Sequence, residues 1–446
     1  MDSRNTLLIF VPKITNRLGY TLNVLFRDIL QIPFEITTDA ATFSVRKCAK
    51  WSYGATRIGS APWIKACDLL FETSLHDVEI RMAQHNGPVP FAVYGSDLDF
   101  PFDLLAASFY MVSRYEEYMP YQADAHGRFV AQESLAYKMN RLRQPIVEQW
   151  AWDLMKKIAE AFPDYNIPHK QFEMEATVDI DAAYCYKNKG VLRTLSGWLR
   201  DGIQRHKLDE VRLRAQVLMR KAIDPYDTFD YIIEQSLQHP HVRFLFFPLM
   251  ADYDMYNKNI SYHNTEFCQL LQHIGDYATM GIHTSYGSAD NAKLIPVEAK
   301  RLTDVVHHDI ERNRTHFLRL HLPGSYRALL HYNILHDYTM GFASEVGFRA
   351  GMSRPYAFFD LATDSETPLQ IHPFCFMDTT LRHYMHLSPE GATNVIDELM
   401  TEVAAVGGVC CGIFHNENLC ENFGWEGWRD VFESTLHRAE NKINKA

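Results

Sequence analysis

The chain has 446 residues and a formal net charge of −11, and 47% of its residues are hydrophobic. This length and apolar content predict two or three globular domains, while the acidic balance argues against general nucleic-acid binding. No apolar run approaches the roughly 20 residues of a membrane-spanning helix. The eight cysteines include no CxxC pair, and the first apolar run is short and closed by Pro12, unlike the core of a signal peptide. These features predict a cytoplasmic protein.

The first 168 residues predict an α/β domain. Apolar residues recur with a period of two in the strands and at helical spacing in the helices. Asp103 is a predicted helix cap because it directly precedes an apolar helical pattern. The predicted elements are strands at 7–11 and 34–38 and helices at 15–32, after Asp103, and at 146–162. Two prolines and several polar residues at 163–169 predict the domain boundary.

Strands and helices alternate in the second predicted domain, residues 169–446. The predicted strands are 174–180, 242–247, 279–283, 316–320, 337–342, 369–377 and 409–414. The predicted helices are 228–237, 296–310, 324–332, 391–406 and 426–443. About seven strand–helix units predict a deformed (β/α)7 barrel, in which functional residues lie at the carboxyl ends of the strands.

Two acids close the first predicted strand of this domain, in the segment Thr177-Val178-Asp179-Ile180-Asp181. Asp179 and Asp181 share one face of the strand because they are two residues apart, which places them roughly 7 Å from each other. Such a pair suits a metal ligand and a general base. The alternative interpretation is a solvated strand end in which Asp181 caps a following helix.

Three histidines fall at other predicted strand ends, namely His283, His316 and His415. The chain contains 21 histidines, and any single one is more often structural than a metal ligand. The prediction therefore rests on their combined placement at the ends of different strands. One carboxylate and two imidazoles form a familiar catalytic zinc site with an open coordination position.

These motifs resemble those of the polysaccharide deacetylase family, whose members are metal-dependent carbohydrate esterases. The resemblance covers about residues 172–446. It is carried, in the family's order, by 177–181, by His283-Thr284-Ser285, by Phe348-Arg349 with Arg354-Pro355-Tyr356, and by His415. The whole chain also resembles a bacterial branch of this family with an uncharacterised amino-terminal α/β domain, through Asn16-Arg17-Leu18, 113–118 and 377–381.

The resemblance implies a divalent metal, most often zinc, bound by Asp181 and His283. The family's second motif histidine is missing, because position 287 is glycine. His316 is the predicted third ligand, since it lies at the next predicted strand end, and His321 and His307 are the alternatives.

The resemblance also implies the catalytic roles. Asp179 matches the base, although the two aspartates could be exchanged, and His415 matches the acid that donates to the leaving amine. Arg349 is expected to orient Asp179, with Arg354 as its competitor. Tyr286 and Tyr356 are expected at the substrate, and Tyr286 also as a donor to the oxyanion.

The implied activity is removal of an acetyl group from an N-acetylated sugar or a polysaccharide precursor. The missing histidine leaves two alternatives. One is a non-catalytic carbohydrate-binding protein on the same scaffold, and the other is a hydrolase of a non-sugar amide.

The stretch 187–221 is a basic insert with ten Lys or Arg and three acids, a net +7 within a chain of −11. Leu192, Leu195, Trp198 and Leu199 recur in it at helical spacing. A basic amphipathic helix binds anionic lipid or an anionic sugar carrier, which predicts peripheral contact with the inner membrane or a carrier-linked substrate. The alternative is a lid packed on the barrel mouth with a solvated basic face.

Overall fold

The computed structural model describes residues 6–190 and 208–444. A parallel sheet of four strands forms the amino-terminal part, and a short antiparallel pair follows it. These six strands are β1 Leu7–Phe10, β2 Phe34–Thr37, β3 Lys50–Gly54, β4 Trp63–Lys65, β5 Met82–Gln84 and β6 Pro88–Pro90. The order in the larger sheet is β2-β1-β3-β4.

The helices of this part are α1 Asn16–Leu22, α2 Ala40–Val45, α3 Leu104–Val112, α4 Leu135–Lys138 and α5 Ile146–Ala161. Asp103 caps α3 as predicted, because its carboxylate accepts hydrogen bonds from the first free backbone N–H groups of the helix. The predicted helix at 15–32 instead consists of α1 and a π-helical stretch, Asn23–Ile29.

Ten further strands form two five-stranded sheets in the carboxyl-terminal part. They are β7 Glu173–Ile180, β8 Arg243–Pro248, β9 Thr279–Met280, β10 Ile282–Thr284, β11 Arg312–Thr315, β12 His336–Asp337, β13 Tyr356–Asp360, β14 Ser365–Ile371, β15 Phe376–Met377 and β16 Val409–His415. The orders are β15-β16-β7-β8-β9 and β10-β11-β12-β14-β13, and within these two sheets, as far as the described residues go, only the β13–β14 pairing is antiparallel.

The helices between and after these strands are α6 Leu208–Leu218, α7 Phe229–Gln238, α8 Thr265–Gly275, α9 Leu294–Val306, α10 Gly324–His331, α11 Pro389–Val406 and α12 Trp428–Ile443. Within the described ranges, none of the helices combines the length and apolarity that a membrane span requires.

The two sheets are connected where β9 passes into β10. Only Gly281 separates them, and a bridge pairs Leu249 with His283 in parallel. A Cβ at position 281 would lie 2.5 Å from the Phe247 ring and 2.8 Å from Cβ of Arg312, so the chain requires glycine there. The result is a mixed α/β architecture with parallel sheets. The strand pairing defines two sheets, and the closed seven-stranded barrel stays a prediction.

The predicted strand at 316–320 is wrong. β11 ends at Thr315, and His316–Leu318 forms a single 3-10 turn. Phe317 and Leu318 have φ values of 59° and 56°, which a strand cannot contain. His316 nevertheless lies directly after a strand.

One apolar core extends across the predicted boundary at residue 168. Tyr20 and Phe109 lie on its amino-terminal side and contact the ring of Phe359, at centroid distances of 4.9 and 5.3 Å. The Tyr20 hydroxyl also donates to the carbonyl of Ala357 across 2.7 Å. The two parts therefore pack as one body, and the boundary itself stays a prediction.

Candidate metal centre

Asp181, His283 and His316 meet at the carboxyl ends of β7, β10 and β11. One ligand atom of each lies within 4.8 Å of the other two. Nε2 of His283 lies 3.2 Å from Oδ1 of Asp181, and Nε2 of His316 lies 3.3 Å from Oδ2. The structure thus brings together the three predicted ligands, while the alternatives His307 and His321 lie outside the group.

The hydrogen bonds of the two imidazoles determine which nitrogen faces Asp181. Nδ1 of His283 lies 2.8 Å from the carbonyl oxygen of Arg314, which can only accept. Nδ1 of His316 lies 3.0 Å from Oδ1 of Asn257, an oxygen that also accepts from the backbone N–H of Tyr286. Each Nδ1 therefore carries a proton, and both Nε2 atoms face the carboxylate.

This arrangement suits a cation. Neutral imidazole nitrogens and a carboxylate repel one another at these distances unless a proton or a metal ion lies between them. Oδ1 of Asp181 is buried and has no hydrogen bond of acceptable geometry among the described residues. The donor set, one carboxylate and two imidazoles, is one that zinc accepts.

Charge complementarity also changes the titration of these groups. Burial alone would raise the pKa of Asp181, but the facing His316 and His283 outweigh it and hold that pKa well below its ordinary value. Burial opposes charge on His283, yet the Asp179 and Asp181 carboxylates raise its pKa. The site is therefore an electrostatically matched cluster rather than a solvated strand end.

Asp179 lies beside the cluster and is held by an arginine. Nη1 of Arg314 donates to Oδ1 of Asp179 across 2.6 Å and to Oγ1 of Thr177 across 2.9 Å. The other oxygen, Oδ2, lies 3.7 Å from Nε2 of His283. Asp181 therefore belongs to the candidate ligand group and Asp179 stands next to it, and the base role of Asp179 stays a prediction.

The predicted role of Arg349 requires correction. Its guanidinium donates from Nε and Nη2 to the two carboxylate oxygens of Glu117, across 2.9 and 2.6 Å. Glu117 also accepts from Nε of Arg114 across 2.7 Å, and all three side chains are buried. Arg349 thus belongs to a buried ion-pair cluster in the core, and Arg314 contacts Asp179 instead. Arg354, the predicted alternative to Arg349, donates from Nε to the carbonyl of Gly407.

His415 ends β16 on another wall of the same cleft. Its Nδ1 lies 2.7 Å from Oδ1 of Asp378, and its backbone N–H donates to Oδ2 of the same residue. Burial would lower the pKa of His415, but Asp378 reverses this and raises it well above the ordinary value. Asn418 donates to Asp378 across 3.0 Å and fixes it further. Asp378 thus holds Nδ1 of His415, and Nε2 is left for the cleft.

These groups line one cleft of about 230 Å³. Phe317, Tyr384 and Trp425 contribute aromatic surface to it, and Glu417 contributes a further carboxyl group. Burial, reinforced by the charge of Asp181, raises the pKa of Glu417 to about 8. A concave site with aromatic walls and a few convergent polar groups is typical of small-ligand binding.

The two tyrosines predicted at the substrate do not line this cleft. Tyr356 is only 1% exposed, because β13 is covered on both faces, and its predicted substrate contact is corrected to a core position. The Tyr286 ring stacks on Tyr256 at 3.9 Å, and the Arg319 guanidinium lies over it at 4.2 Å. Its backbone N–H donates to Asn257, and its hydroxyl lies 3.1 Å from Nδ1 of His126, so a role of Tyr286 at the substrate stays a prediction.

The residues that the sequence left without a role are Arg314, Asp378 and Asn257. Each orients one predicted site residue from a distance of 37 to 135 positions along the chain. No local sequence pattern predicts such pairs, although Asp378 lies in the segment 377–381, which carries part of the family resemblance. Of the basic insert, residues 191–207 lie outside the described residues, so its predicted helix and partners stay predictions.

A family of unknown function, DUF7033, matches residues 7–163. No curated protein matches the sequence.

Several solved structures show a distant likeness. A protein assigned as a polysaccharide deacetylase from Mycobacterium smegmatis is 14% identical, with 62% of this chain and 91% of that one covered and a TM-score of 0.35. The polysaccharide deacetylase of Bacillus cereus is 8% identical, with 61% and 89% covered and a TM-score of 0.31. The CE4 domain of a xylanase from the hindgut metagenome of Trinervitermes trinervoides is 8% identical, with 61% and 85% covered and a TM-score of 0.29. Such values are too low to support an argument about function.

Proposed function

We propose that this protein is a metal-dependent hydrolase that removes the acetyl group from an N-acetylated sugar or a polysaccharide precursor. The observation that carries the proposal is the convergence of Asp181, His283 and His316 on one point beside Asp179. The order of the sequence motifs supports the choice of an acetylated carbohydrate as substrate.

A divalent ion would be held by Asp181, His283 and His316, and this donor set suits zinc. When bound, such an ion supplies Lewis acidity, which polarises an acyl oxygen and lowers the pKa of water. Each imidazole is oriented by a hydrogen bond from its Nδ1, which leaves its Nε2 facing the metal position. His283 donates to the Arg314 carbonyl and His316 to the Asn257 side-chain oxygen.

The remaining steps belong to the chain's own side chains. Asp179 accepts the proton of the attacking water at Oδ2, since Arg314 occupies Oδ1. His415 donates a proton from Nε2 to the leaving amine, since Asp378 occupies Nδ1. Amide hydrolysis requires a base that takes a proton from water and an acid that gives one to the leaving amine.

The aromatic surface of the cleft supports a sugar as the acyl carrier. Phe317 and Trp425 offer ring faces and edges to the apolar side of a pyranose, while Glu417 and Asn418 offer polar groups to its hydroxyls. A cleft of about 230 Å³ suits one sugar unit with its acetyl group.

The test is acetate release from N-acetylated oligosaccharides and monosaccharides by zinc-loaded protein. Asp179→Asn and His415→Ala are expected to keep the metal and to lower turnover by roughly 10²–10⁴. His308→Ala changes an exposed histidine that does not line the cleft, and it serves as the control with wild-type turnover.

The carbohydrate-binding alternative predicts a different result. It gains if zinc-loaded protein binds acetylated glycans in calorimetry but releases no acetate from any of them. Acetate release from acetylated amino acids or polyamines, without release from sugars, would instead favour the non-sugar amide.

A further inference from the structure

A turn of the amino-terminal part, residues 124–128, reaches the candidate metal centre. Arg128 lines the cleft together with Asp181, His283 and His316. Its side chain is about one-tenth exposed. This contact joins the segment matched by DUF7033 to the ligands in the other part of the chain.

The turn is internally braced. Oδ1 of Asp124 accepts hydrogen bonds from the backbone N–H groups of His126 and Arg128, across 2.8 and 3.0 Å. Oδ2 of Asp124 accepts from Nε of Arg128 across 2.7 Å. Gly127 occupies a left-handed conformation with φ of +78° and passes close to His321. The guanidinium of Arg128 is therefore held in one orientation.

That guanidinium supports the backbone next to a ligand. Nη1 of Arg128 donates to the carbonyl oxygen of Phe317 across 2.9 Å. Phe317 and Leu318 are consecutive non-glycine residues in the left-handed region, directly after His316. Such a conformation persists only where surrounding contacts determine it, and it is frequent at functional sites.

His126 adds further contacts to the same turn. Its carbonyl accepts from Nε of Arg319 across 3.0 Å, and its ring lies 5.1 Å from that of Phe317. The Phe317 ring in turn lies 4.7 Å from the His316 imidazole. Residues 124–128 therefore contact the turn that follows β11 through its backbone and its side chains.

We propose that Arg128 is a positioning residue of the metal centre. By holding the Phe317 carbonyl, it fixes the turn that presents Nε2 of His316 to the cation. The amino-terminal part then completes the site instead of being an independent appendage. This inference rests on the metal centre of the proposed function.

The test compares Arg128→Gln and Arg128→Lys with wild type in the full chain. Zinc affinity is measured by competition with a chromophoric chelator. Arg128→Gln is expected to weaken zinc binding by about 10- to 100-fold, the usual cost of losing an outer-shell partner. Arg128→Lys, which can still donate to the carbonyl, is expected to recover part of the loss.

Arg81→Gln is the matched control. It removes an arginine of the same part that pairs with Glu79, but both side chains are largely exposed. Its zinc affinity is expected to equal that of wild type. Asp124→Asn is a milder second variant, which weakens the contact that orients the Arg128 guanidinium but keeps the arginine. It should also weaken zinc binding.

A second measurement needs no metal. Hydrogen exchange of the backbone amides in 312–322 is followed by mass spectrometry in metal-free protein. Exchange should be faster in Arg128→Gln than in wild type or Arg81→Gln, while the thermal unfolding midpoint stays close to that of Arg81→Gln.

Unchanged zinc affinity and unchanged exchange in Arg128→Gln would overturn the inference. A wild-type protein that binds no zinc would overturn the proposed function instead, and the exchange data would then decide the positioning role on their own.

Discussion

Arg314 donates a hydrogen bond from Nη1 to Oδ1 of Asp179 across 2.6 Å, and both side chains are almost completely buried. The contact leaves Oδ2 of Asp179 directed at the imidazole of His283. Arg314 lies in β11, the strand that ends immediately before His316. One strand therefore orients the candidate base and presents a candidate metal ligand.

Arg314→Met is expected to destabilise the fold and to abolish most of the turnover. Removal of one partner leaves the carboxylate of Asp179 buried and unpaired, which costs roughly 3–5 kcal/mol. Adding Asp179→Asn should recover part of this loss, because it removes the unpaired charge. Urea unfolding of the two single variants and the double variant measures the coupling. Purely additive losses would contradict a direct pair.

Arg349→Met is expected to affect stability without affecting the site. It breaks a bidentate pair with buried Glu117, which keeps only Arg114 as a partner. The expected loss is about 3 kcal/mol in the free energy of unfolding. Zinc content and turnover per folded molecule should equal those of wild type. A selective loss of turnover would restore the catalytic role that the sequence predicted for Arg349.

Asp378→Asn is expected to change the pH dependence of turnover. Against the effect of burial, Asp378 raises the pKa of His415 well above its ordinary value, so the acid stays protonated at neutral pH and activity falls only as the pH rises through that raised value. Without the carboxylate, the alkaline limb of the pH–rate profile should move to lower pH. An alkaline limb at the wild-type position would exclude His415 as the titrating acid.

The same coupling predicts the sign of a stability change. The folded-state pKa of His415 exceeds its unfolded value, so the pair with Asp378 contributes its full stability below a pH of about 6.5. This contribution disappears as the pH rises through the folded-state pKa. The stability difference between wild type and Asp378→Asn should therefore shrink at alkaline pH.

Glu417 is expected to release a proton when zinc binds. Its pKa is raised to about 8 by burial and by the charge of Asp181, and a cation on Asp181 offsets that charge. In weakly buffered solution near pH 7.5, wild type should release more protons per zinc than Glu417→Gln. Equal release from both proteins would show that Glu417 is already ionised or does not sense the metal.

The sequence could predict the cluster of candidate ligands because its residues obey simple placement rules. Asp179 and Asp181 alternate with buried apolar residues, His283 lies next to the end of the short strand β10, and His415 ends the apolar strand β16. Parallel strands bring their carboxyl ends to the same edge, so residues at these ends meet. The metal group could thus be anticipated without knowledge of tertiary contacts.

The strand before His316 could not be recognised from hydropathy. β11 has the sequence Arg-Asn-Arg-Thr, yet three of its four residues are buried. Its polar groups are satisfied inside the fold, where Asn313 bonds to Asp337 across 2.9 Å and accepts from Thr284 across 2.8 Å. The predicted strand began four residues too late because Phe317, Leu318 and Leu320 are apolar and β11 is not.

The arginine assignment failed for a related reason. Arg314 and Asp179 are 135 positions apart, and only the packing of β11 against β7 across the interior brings them together. A family motif pointed to Arg349, but burial beside Glu117 gave that residue a structural partner. Charge pairs between distant strands leave no local trace in one sequence.

Metal content tests the central claim most directly. Metal-free wild type and variants are dialysed against zinc and then analysed for elemental composition. We expect about one zinc per chain in wild type and in Asp179→Asn, and almost none in His283→Ala or His316→Ala, because two of three ligands bind a divalent ion weakly. Wild type without zinc, or full zinc content in both histidine variants, would contradict the metal centre.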